Sequence, residues 1–265
     1  MEGNSAAAAY DRFAAIYDEF NAANNYEMWL GETLLPELEA HGLTKGRALD
    51  VGCGTGRAFE PLLSRGWQVV GCDVSPGMLE RAAEKFGSRV ELFVADAREL
   101  PSVPPSPGSP AGEGFELILA LNDVANYLIE DGDLERFFGG VKRNLGQNGL
   151  FVFDITAFCA FRAAWASGKS DQMSARGWDW HGLTERAERG AVFEARISGR
   201  EVEAHVHRER HWEPERVQEA LKASGLRCLA FSGQREDADR RVILENPPDE
   251  ERHYKIVFIA GRANA

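Results

Sequence analysis

The feature that most constrains this chain is a short strand that runs directly into three alternating glycines. The strand candidate Arg47–Val51 contains Asp50, and Gly52, Gly54 and Gly56 follow it. Glycine is needed where the backbone turns tightly or approaches a ligand with no Cβ in the way. Dinucleotide-binding turns use Gly-x-Gly-x-x-Gly and phosphate loops add a lysine, but neither pattern occurs here. Because Asp50 would also repel a pyrophosphate, the loop predicts a ligand that carries a cationic group.

Two later strand candidates also lead into acids. Gln68–Cys72 is followed by Asp73, and Val90–Val94 comes just before Asp96. The carboxyl ends of parallel strands meet at one edge of a sheet, where open α/β folds bind ligands. Taken singly, Asp50 and Asp73 are also consistent with helix capping. The occurrence of acids after three successive strands favours a ligand site.

The pattern between residues 47 and 154 alternates short apolar runs with amphipathic segments, as in βαβ units. Two more strand candidates are Phe115–Leu121 and Leu150–Ile155. None of the five strands alternates strictly, which predicts a parallel sheet that is covered on both faces. Ser75 and Pro76 predict the start of one covering helix, as its N-cap and first helical residue. The predicted fold class is therefore α/β.

Other segments depart from this alternation. Residues 1–45 are predicted to be helical and are rich in aromatic side chains, whereas residues 101–114 are rich in Pro, Ser and Gly and predict a surface loop. Residues 161–212 contain two alternating runs that meet at residues 198–200, which predicts an inserted antiparallel hairpin. After this insertion, the pattern predicts a helix from Pro214. It also predicts two final strands, Leu226–Phe231 and Tyr254–Ala260.

The charge distribution excludes several classes of function. The formal net charge is −12, and all of it lies in residues 1–159, which hold 24 acids and 12 bases. Nucleic-acid-binding proteins normally carry a basic surface, so nucleic acid is not expected as a partner. No apolar run approaches the roughly 18 residues of a membrane span, and the N-terminus lacks a signal-peptide pattern. The four cysteines are widely spaced and predict reduced thiols in a cytoplasmic protein.

The glycine loop and the three acids together resemble the class I S-adenosylmethionine-dependent methyltransferases. The resemblance covers about residues 46–160, and residues 213–262 suit the same fold. It implies a Rossmann-like, seven-stranded, mostly parallel sheet with an antiparallel last strand. The expected divisions are an N-terminal helical lid (1–45), a cofactor-binding core (46–160 and 213–265) and an inserted antiparallel lobe (161–212). The lobe is expected to line the acceptor pocket or to form a dimer contact.

The resemblance also implies roles for individual residues around the cofactor S-adenosylmethionine. Asp50 and the backbone of the glycine loop would face its methionine part, and Asp73 would face the ribose hydroxyls. Val74 and Met78 would contact the adenine face, whereas Asp96 and the Ala97 amide would contact the adenine edge. The full set of expected cofactor-binding residues is Tyr17, Trp29, Asp50, Gly52, Cys53, Gly54, Gly56, Asp73, Val74, Met78, Asp96, Ala97 and Leu121.

Candidate catalytic residues lie on the acceptor side. The segment from Asn122 to Tyr127 lacks the Asn/Asp-Pro-Pro-Tyr turn of methyltransferases that act on adenine or on glutamine amides, which favours a small-molecule acceptor. Asp123 and Tyr127 are within it, and His207 lies on a strand of the insertion. A general base within hydrogen-bond reach would assist an amine or hydroxyl acceptor. Asp123 could instead only shape a turn. His205 and His207 have His-x-His spacing, but without a clear third ligand no metal is expected.

The predicted function is methyl transfer to a small molecule of the cytoplasm, with an amine nitrogen favoured slightly over oxygen or carbon. The preference for nitrogen rests on analogy with the small-molecule branch of the family. Two alternatives remain: a methyltransferase that acts on RNA or protein, and a non-catalytic cofactor-binding protein that dimerises through residues 161–212. No membrane partner is expected, and the sequence leaves a homodimer open.

Overall fold

The computed structural model describes residues 6–22, 25–104, 114–166, 177–199, 202–237 and 241–263. Most of the predicted loop at residues 101–114, and the tip of the predicted hairpin at residues 200 and 201, lie outside this part of the chain. Within it, two sheets account for the strands, and helices cover both faces of the larger sheet. None of the described helices is long and apolar enough to cross a bilayer.

The large sheet has eight strands in the order β10-β9-β11-β5-β4-β1-β2-β3. Strands β1 to β5 are parallel to one another, and β11 runs antiparallel to both of its neighbours, β5 and β9. This confirms the α/β class and the antiparallel last strand. The bounds of these strands are β1 (Arg47–Val51), β2 (Gln68–Asp73), β3 (Val90–Val94), β4 (Phe115–Ala120), β5 (Leu145–Thr156), β9 (Leu226–Glu236), β10 (Val242–Glu245) and β11 (Lys255–Arg262).

The expected count of seven strands is one too low. The additional strand, β10, has only four residues and pairs antiparallel with the far end of β9. Its residues are half-buried, and two of them pack against the N-terminal helices, so tertiary contacts support a strand that is too short to give a clear periodic pattern.

The helices follow the predicted start and stop signals. Ser75 is the N-cap of the helix from Pro76, and its hydroxyl accepts a hydrogen bond from the amide of Met78 at 3.1 Å. The helices are α1 (Ala6–Phe13), α2 (Tyr17–Phe20), α3 (Leu35–Ala40), α4 (Phe59–Leu63), α5 (Pro76–Phe86), α6 (Asp133–Asn144), α7 (Phe158–Ala160) and α8 (Pro214–Ala223). Residues Glu27–Leu34 and Phe161–Trp165 are wound as π-helix.

Two apolar layers stabilise the large sheet, one on each face. One layer packs α6 and α8 against the strands, with Phe137, Phe138 and Val217 fully buried. The other packs α4, α5 and the N-terminal helices, with Leu34 and Phe59 fully buried. Burial of one such side chain contributes about 1.5–3 kcal/mol. The sheet is therefore held rigidly, and the loops at its carboxyl edge are well positioned for binding.

The inserted segment forms a separate three-stranded antiparallel sheet in the order β6-β7-β8. The predicted hairpin corresponds to β7 (Val192–Gly199) and β8 (Val202–Arg210). Strand β6 (Trp178–Gly182) was not predicted from the sequence. His205, His207 and Glu209 lie on the buried face of β8, beneath helix α1.

Candidate active site

An open cavity of about 950 Å³ lies at the carboxyl edge of the large sheet. Its floor is formed by the loops after β1, β2, β3 and β4, and the N-terminal helices cover it. The strand order reverses between β1 and β4, and ligands of open α/β folds bind where such a reversal occurs. Ten of the expected cofactor residues line this cavity: Tyr17, Asp50, Gly52, Cys53, Gly54, Asp73, Val74, Asp96, Ala97 and Leu121.

The glycine loop adopts a backbone that other residues rarely reach. Gly52 has a φ of 69° and Gly54 has a φ of 53°, both in the left-handed region. A Cβ on Gly52 would come within 2.6 Å of a side-chain carbon of Val124. A Cβ on Gly54 would lie 3.6 Å from the ring of Tyr17, which packs directly over the loop. The left-handed backbone therefore accounts for glycine at both positions, and the approach of Val124 adds a steric reason at Gly52.

Two acids are buried together beside this loop. Asp50 is 4% exposed, and burial, together with the nearby Asp73, raises its pKa to about 8. Asp73 accepts hydrogen bonds from the amide of Gly54 at 2.8 Å and from the amide of Ser75 at 2.9 Å. Burial raises the pKa of Asp73 as well, although these backbone amides oppose the shift. A cation bound here would relieve the repulsion between the two carboxylates.

The third acid, Asp96, lines the cavity but already accepts hydrogen bonds from Arg98. It caps the short turn Ala97–Glu99, and both of its carboxylate oxygens accept hydrogen bonds from Arg98. Burial opposes ionisation of Asp96, but the hydrogen bonds from Arg98 outweigh it and lower the pKa. Asp96 is therefore ionised, and a ligand would share it with Arg98.

The N-terminal segment is tied to the loops that it covers. Asp11 accepts a hydrogen bond from the Ser75 hydroxyl at 2.5 Å. Asp18 accepts one from the Thr55 hydroxyl at 2.6 Å. The Tyr26 hydroxyl accepts a hydrogen bond from the side-chain amide of Asn122. These contacts hold aromatic rings over the cavity, and they must open if a ligand enters from this side.

The expected catalytic residues Tyr127 and His207 are in contact. The hydroxyl of Tyr127, which lines the cavity, lies 2.7 Å from Nδ1 of His207. The ring of Tyr10 packs edge-on against both, with centroids 5.3 and 5.2 Å away. Burial of His207, with a smaller contribution from His205, lowers its pKa to about 3. The imidazole is therefore neutral at physiological pH and serves as a fixed hydrogen-bond partner for Tyr127.

Asp123 occupies a different position, outside the residues that line the cavity. It accepts from the Thr156 hydroxyl at 2.6 Å and lies 2.9 Å from the ammonium of Lys255. Burial alone would lower the pKa of Lys255, but the carboxylates of Asp123 and Asp154 raise it, so the amine is charged. The described contacts of Asp123 are therefore with Thr156, Lys255 and the turn itself rather than with the cavity.

The turn that contains Asp123 is strained. Asn122 and Asp123 have φ values of 62° and 70°, which residues other than glycine seldom adopt. The carboxylate of Asp154 accepts hydrogen bonds from both of their backbone amides, each at 2.8 Å. Such strain persists only where surrounding contacts impose it, and it is frequent at functional sites. Asn122 lines the cavity as a result.

Three expected cofactor residues lie elsewhere. Met78 is fully buried in a cluster beneath α1, and Gly56 packs against the ring of Phe59. Trp29 is 6% exposed and lines a neighbouring cavity. The sequence placed all three near the loop or in the lid, but the direction of a side chain depends on helix packing, which a motif does not define.

Several lining residues were not predicted from the sequence. Arg57 follows the third glycine directly and stacks on the Tyr26 ring, with its guanidinium carbon 5.0 Å from the centroid. Together with Arg98, it adds positive charge to a wall that also carries Asp50, Asp73 and Asp96. The position of Arg57 next to the glycine loop could have indicated from the sequence that it lines the cavity. Only the fold brings Tyr10 and Asn122 to the cavity. No group of three or more His, Cys, Asp or Glu suited to a metal ion was found among the described residues.

Comparison with known families identifies the central part of the chain. Residues 48–149 match the family model described as "Methyltransferase domain". A putative methyltransferase of Bacillus subtilis, YqeM, is 28% identical over 227 residues, which cover 82% of this chain and 86% of that protein. A malonyl-[acyl-carrier protein] O-methyltransferase of Geobacter sulfurreducens is 31% identical over 164 residues, which cover 60% of this chain and 55% of that protein.

Solved structures show the same fold. An S-adenosylmethionine-dependent methyltransferase from Clostridium acetobutylicum aligns with a TM-score of 0.72 and 22% identity, and the alignment covers 96% of this chain and 99% of that one. The glycopeptide N-methyltransferase MtfA in complex with S-adenosylmethionine aligns with a TM-score of 0.55 and 18% identity, covering 86% of each chain. At these identities the similarity concerns the fold.

Proposed function

We propose that this chain, which is a class I S-adenosylmethionine-dependent methyltransferase, methylates a small molecule, and that the methyl group goes to an amine nitrogen. The proposal has three parts: the residues that hold the cofactor, the enclosure of the acceptor, and the preference for nitrogen.

The residues of the cavity suit the cofactor. When bound, S-adenosylmethionine supplies a methyl group on a positively charged sulfur, from which the acceptor displaces it in line. We assign Asp50 and the backbone of Gly52 and Gly54 to its methionine part, because a buried acid favours an ammonium group. We assign Asp73 to the ribose hydroxyls. Val74, Asp96, Ala97 and Leu121 are assigned to the adenine, which would lie between the ends of β2, β3 and β4.

The enclosure of the cavity is the observation that carries the small-molecule proposal. Tyr10, Tyr17 and Tyr26 cover it from the N-terminal segment, and Tyr127 with His207 closes the side toward the inserted sheet. A macromolecular acceptor would need a nucleotide or side chain to pass these rings. The acidic balance of residues 1–159 also opposes binding of a polyanion. A small molecule fits this arrangement better than RNA or protein does.

The low basicity of His207 supports an amine. A hydroxyl acceptor must lose its proton as it attacks, which needs an effective base. His207 has a pKa of about 3 and is a weak base. A neutral amine attacks with its lone pair and can lose its proton after the transfer. We therefore assign Tyr127 to a hydrogen bond with the acceptor, and His207 to positioning the Tyr127 hydroxyl.

Asp123 is proposed to act as a positioning residue. Its contacts with Lys255 and Thr156 hold the turn that carries Asn122 into the cavity and that begins the short helix of Tyr127. The division into a lid (1–45), a core (46–160 and 213–265) and a lobe (161–212) is likewise proposed. The lobe would contribute His207 to the acceptor side.

The test is transfer of tritiated methyl groups to a panel of acceptors. Small primary and secondary amines, matched alcohols, bulk tRNA and a protein extract would each be incubated with the enzyme and labelled cofactor. We expect turnover with one or more amines and at most trace transfer to alcohols of the same shape. Selective labelling of tRNA or of a protein would overturn the proposal. Cofactor binding without transfer to any acceptor would favour a non-catalytic role.

A further inference from the structure

A second cavity, of about 810 Å³, adjoins the first on the side of β9, β10 and β11. We propose that it binds the end of the acceptor that lies away from the methylated atom, and that this end donates hydrogen bonds and is not an anion. The inference rests on the proposed function, because it assigns a binding site to the same small molecule. It concerns a part of the fold that carries no predicted site residue except Trp29.

The two cavities are neighbours. Tyr26 and Asn122 line both of them, and the side chains of these residues are hydrogen-bonded to each other. One ligand can therefore reach both cavities if this contact opens or if the ligand passes beside it. The strained turn that contains Asn122 therefore forms part of the boundary between the two cavities. The first cavity would hold the cofactor and the reacting atom, and the second would hold the remainder of the acceptor.

The second cavity contains a buried acceptor group without a partner. Gln234 is 5% exposed, and its side-chain amide donates to the Tyr254 hydroxyl at 2.8 Å. Within the described part of the chain, its side-chain oxygen Oε1 has no hydrogen-bond donor. Buried side-chain oxygens are nearly always satisfied by protein, water or ligand. Because Gln234 lines the cavity, a ligand that donates an N–H or O–H bond would supply the missing partner.

The charges around the second cavity favour the same kind of ligand. Lys255 is the cationic side chain among its described lining residues, and Asp123 and Asp154 lie 2.9 and 3.1 Å from its ammonium. Its charge is thus already compensated. A carboxylate or phosphate placed here would therefore gain little from Lys255.

Aromatic rings define the shape of the ligand. Tyr26, Trp29 and Tyr254 contribute flat surfaces to the wall, and Val242 contributes an apolar one. A compact ring or chain can pack against these surfaces while a terminal ammonium or hydroxyl group reaches Gln234. An ammonium would gain further from the aromatic faces. An ammonium group and a hydroxyl group differ in charge, so probes of the same shape that carry one or the other can distinguish them.

The experiment measures binding of benzylamine, benzyl alcohol and benzoate by ligand-observed NMR, with the first cavity saturated by S-adenosylhomocysteine. We expect both donor probes to bind and benzoate to bind more weakly. Gln234→Leu should weaken the donor probes about fivefold, which is the effect of losing one hydrogen bond. The same substitution at the exposed Gln147 should leave binding unchanged. A stronger effect of Gln234→Leu on benzylamine than on benzyl alcohol would identify the natural group as an ammonium.

A second variant distinguishes a lost hydrogen bond from a folding defect. Gln234→Glu keeps an acceptor oxygen at the same position, so donor probes should bind at least as well as to the native protein while benzoate weakens further. Equal binding of the donor probes to native protein and to a folded Gln234→Leu would overturn the inference. So would preferential binding of benzoate, or no binding of either donor probe.

This readout needs no turnover and therefore separates the two proposals. Absence of methyl transfer to every small acceptor, with intact probe binding, would count against the proposed function alone. Transfer to an amine that is unaffected by Gln234→Leu, together with unchanged probe binding, would count against the second cavity alone.

Discussion

The hydroxyl of Tyr127 lies 2.7 Å from Nδ1 of His207 and thereby joins the loop after β4 to the inserted sheet. His207 is 2% exposed, so the imidazole has little freedom to move. One wall of the cavity is consequently supported by a hydrogen-bonded pair that comes from two distant parts of the chain.

Tyr127→Phe should lower methyl transfer at least about tenfold, because the hydrogen bond to the acceptor in the transition state is lost. Affinity for S-adenosylhomocysteine, measured by calorimetry, should change by less than about twofold, since the assigned cofactor contacts lie elsewhere. His207→Phe should have an effect in the same direction. Full activity in Tyr127→Phe would show that its hydroxyl has no role in the reaction.

Affinity for S-adenosylmethionine should rise with pH up to about 8. Asp50 has a pKa of about 8 in the free protein, and a bound cation favours its ionised form. Below pH 8 the cofactor must therefore displace a proton, which weakens binding by up to tenfold per pH unit. Calorimetry between pH 6 and 8 checks this dependence. It should flatten in Asp50→Asn and persist in Glu80→Gln, an exposed control on α5; a dependence that survives in Asp50→Asn would contradict the assignment.

The raised pKa of Asp50 also predicts how the stability of the free protein depends on pH. The Asp50 carboxyl binds its proton more tightly in the folded chain than in the unfolded chain, so its contribution is fully present below about pH 4 and is lost as pH rises through about 8. Asp50→Asn should therefore be stabilising relative to native protein at pH 8, but not at pH 4. Urea unfolding at the two pH values measures the difference. An equal effect at both would mean that Asp50 titrates normally.

Asp73→Ala should weaken S-adenosylhomocysteine binding about 10- to 100-fold, the effect of losing a charge-assisted hydrogen bond. Asp73 also accepts from the amides of Gly54 and Ser75, so this variant should lose thermal stability as well. Asp73→Asn keeps one acceptor oxygen, so its affinity and its thermal stability should both lie between those of the native protein and of Asp73→Ala. Unchanged affinity in a folded Asp73→Ala would remove Asp73 from the cofactor site.

Lys255→Met should destabilise the protein by about 3–5 kcal/mol, because the buried Asp154 and the partly buried Asp123 would remain without their cation. Burial raises the pKa of Asp154, and its protonation would relieve the repulsion, so the deficit should shrink as pH falls. Lys45→Met, at an exposed position, should change the free energy of unfolding by less than about 0.5 kcal/mol. Urea unfolding at neutral and acidic pH measures both effects. A deficit that does not depend on pH would point to lost packing instead.

The strands, the capped helix and the glycine loop followed from local patterns. Ser75 and Pro76 predicted a helix start because an N-cap side chain and a fixed φ act on adjacent residues. The run Gly52, Gly54 and Gly56 predicted a tight turn for a similar reason, since its sterics depend on the backbone at each position, and the structure has all three glycines at positive φ. These features are determined within a few residues, and a sequence displays them directly.

Other features depended on packing between distant segments. The pairing of Tyr127 with His207, the burial of Met78 and the placement of Trp29 in the second cavity follow from how helices and sheets pack together. Strand β10 exists because β9 offers an edge and the N-terminal helices cover it. Asp123 turned toward Lys255 because the first residue of β11 lies beside the end of β5.

The sequence by itself thus determined the class of fold and the glycine loop, because both depend on local periodicity, turn geometry and the order of acids along successive strands. The proposed acceptor side was decided only by the tertiary structure. Its walls combine the N-terminal helices, the turn after β4, the inserted sheet and the final strands, and side chains so far apart in sequence meet only when the apolar layers of the sheet bring their elements together.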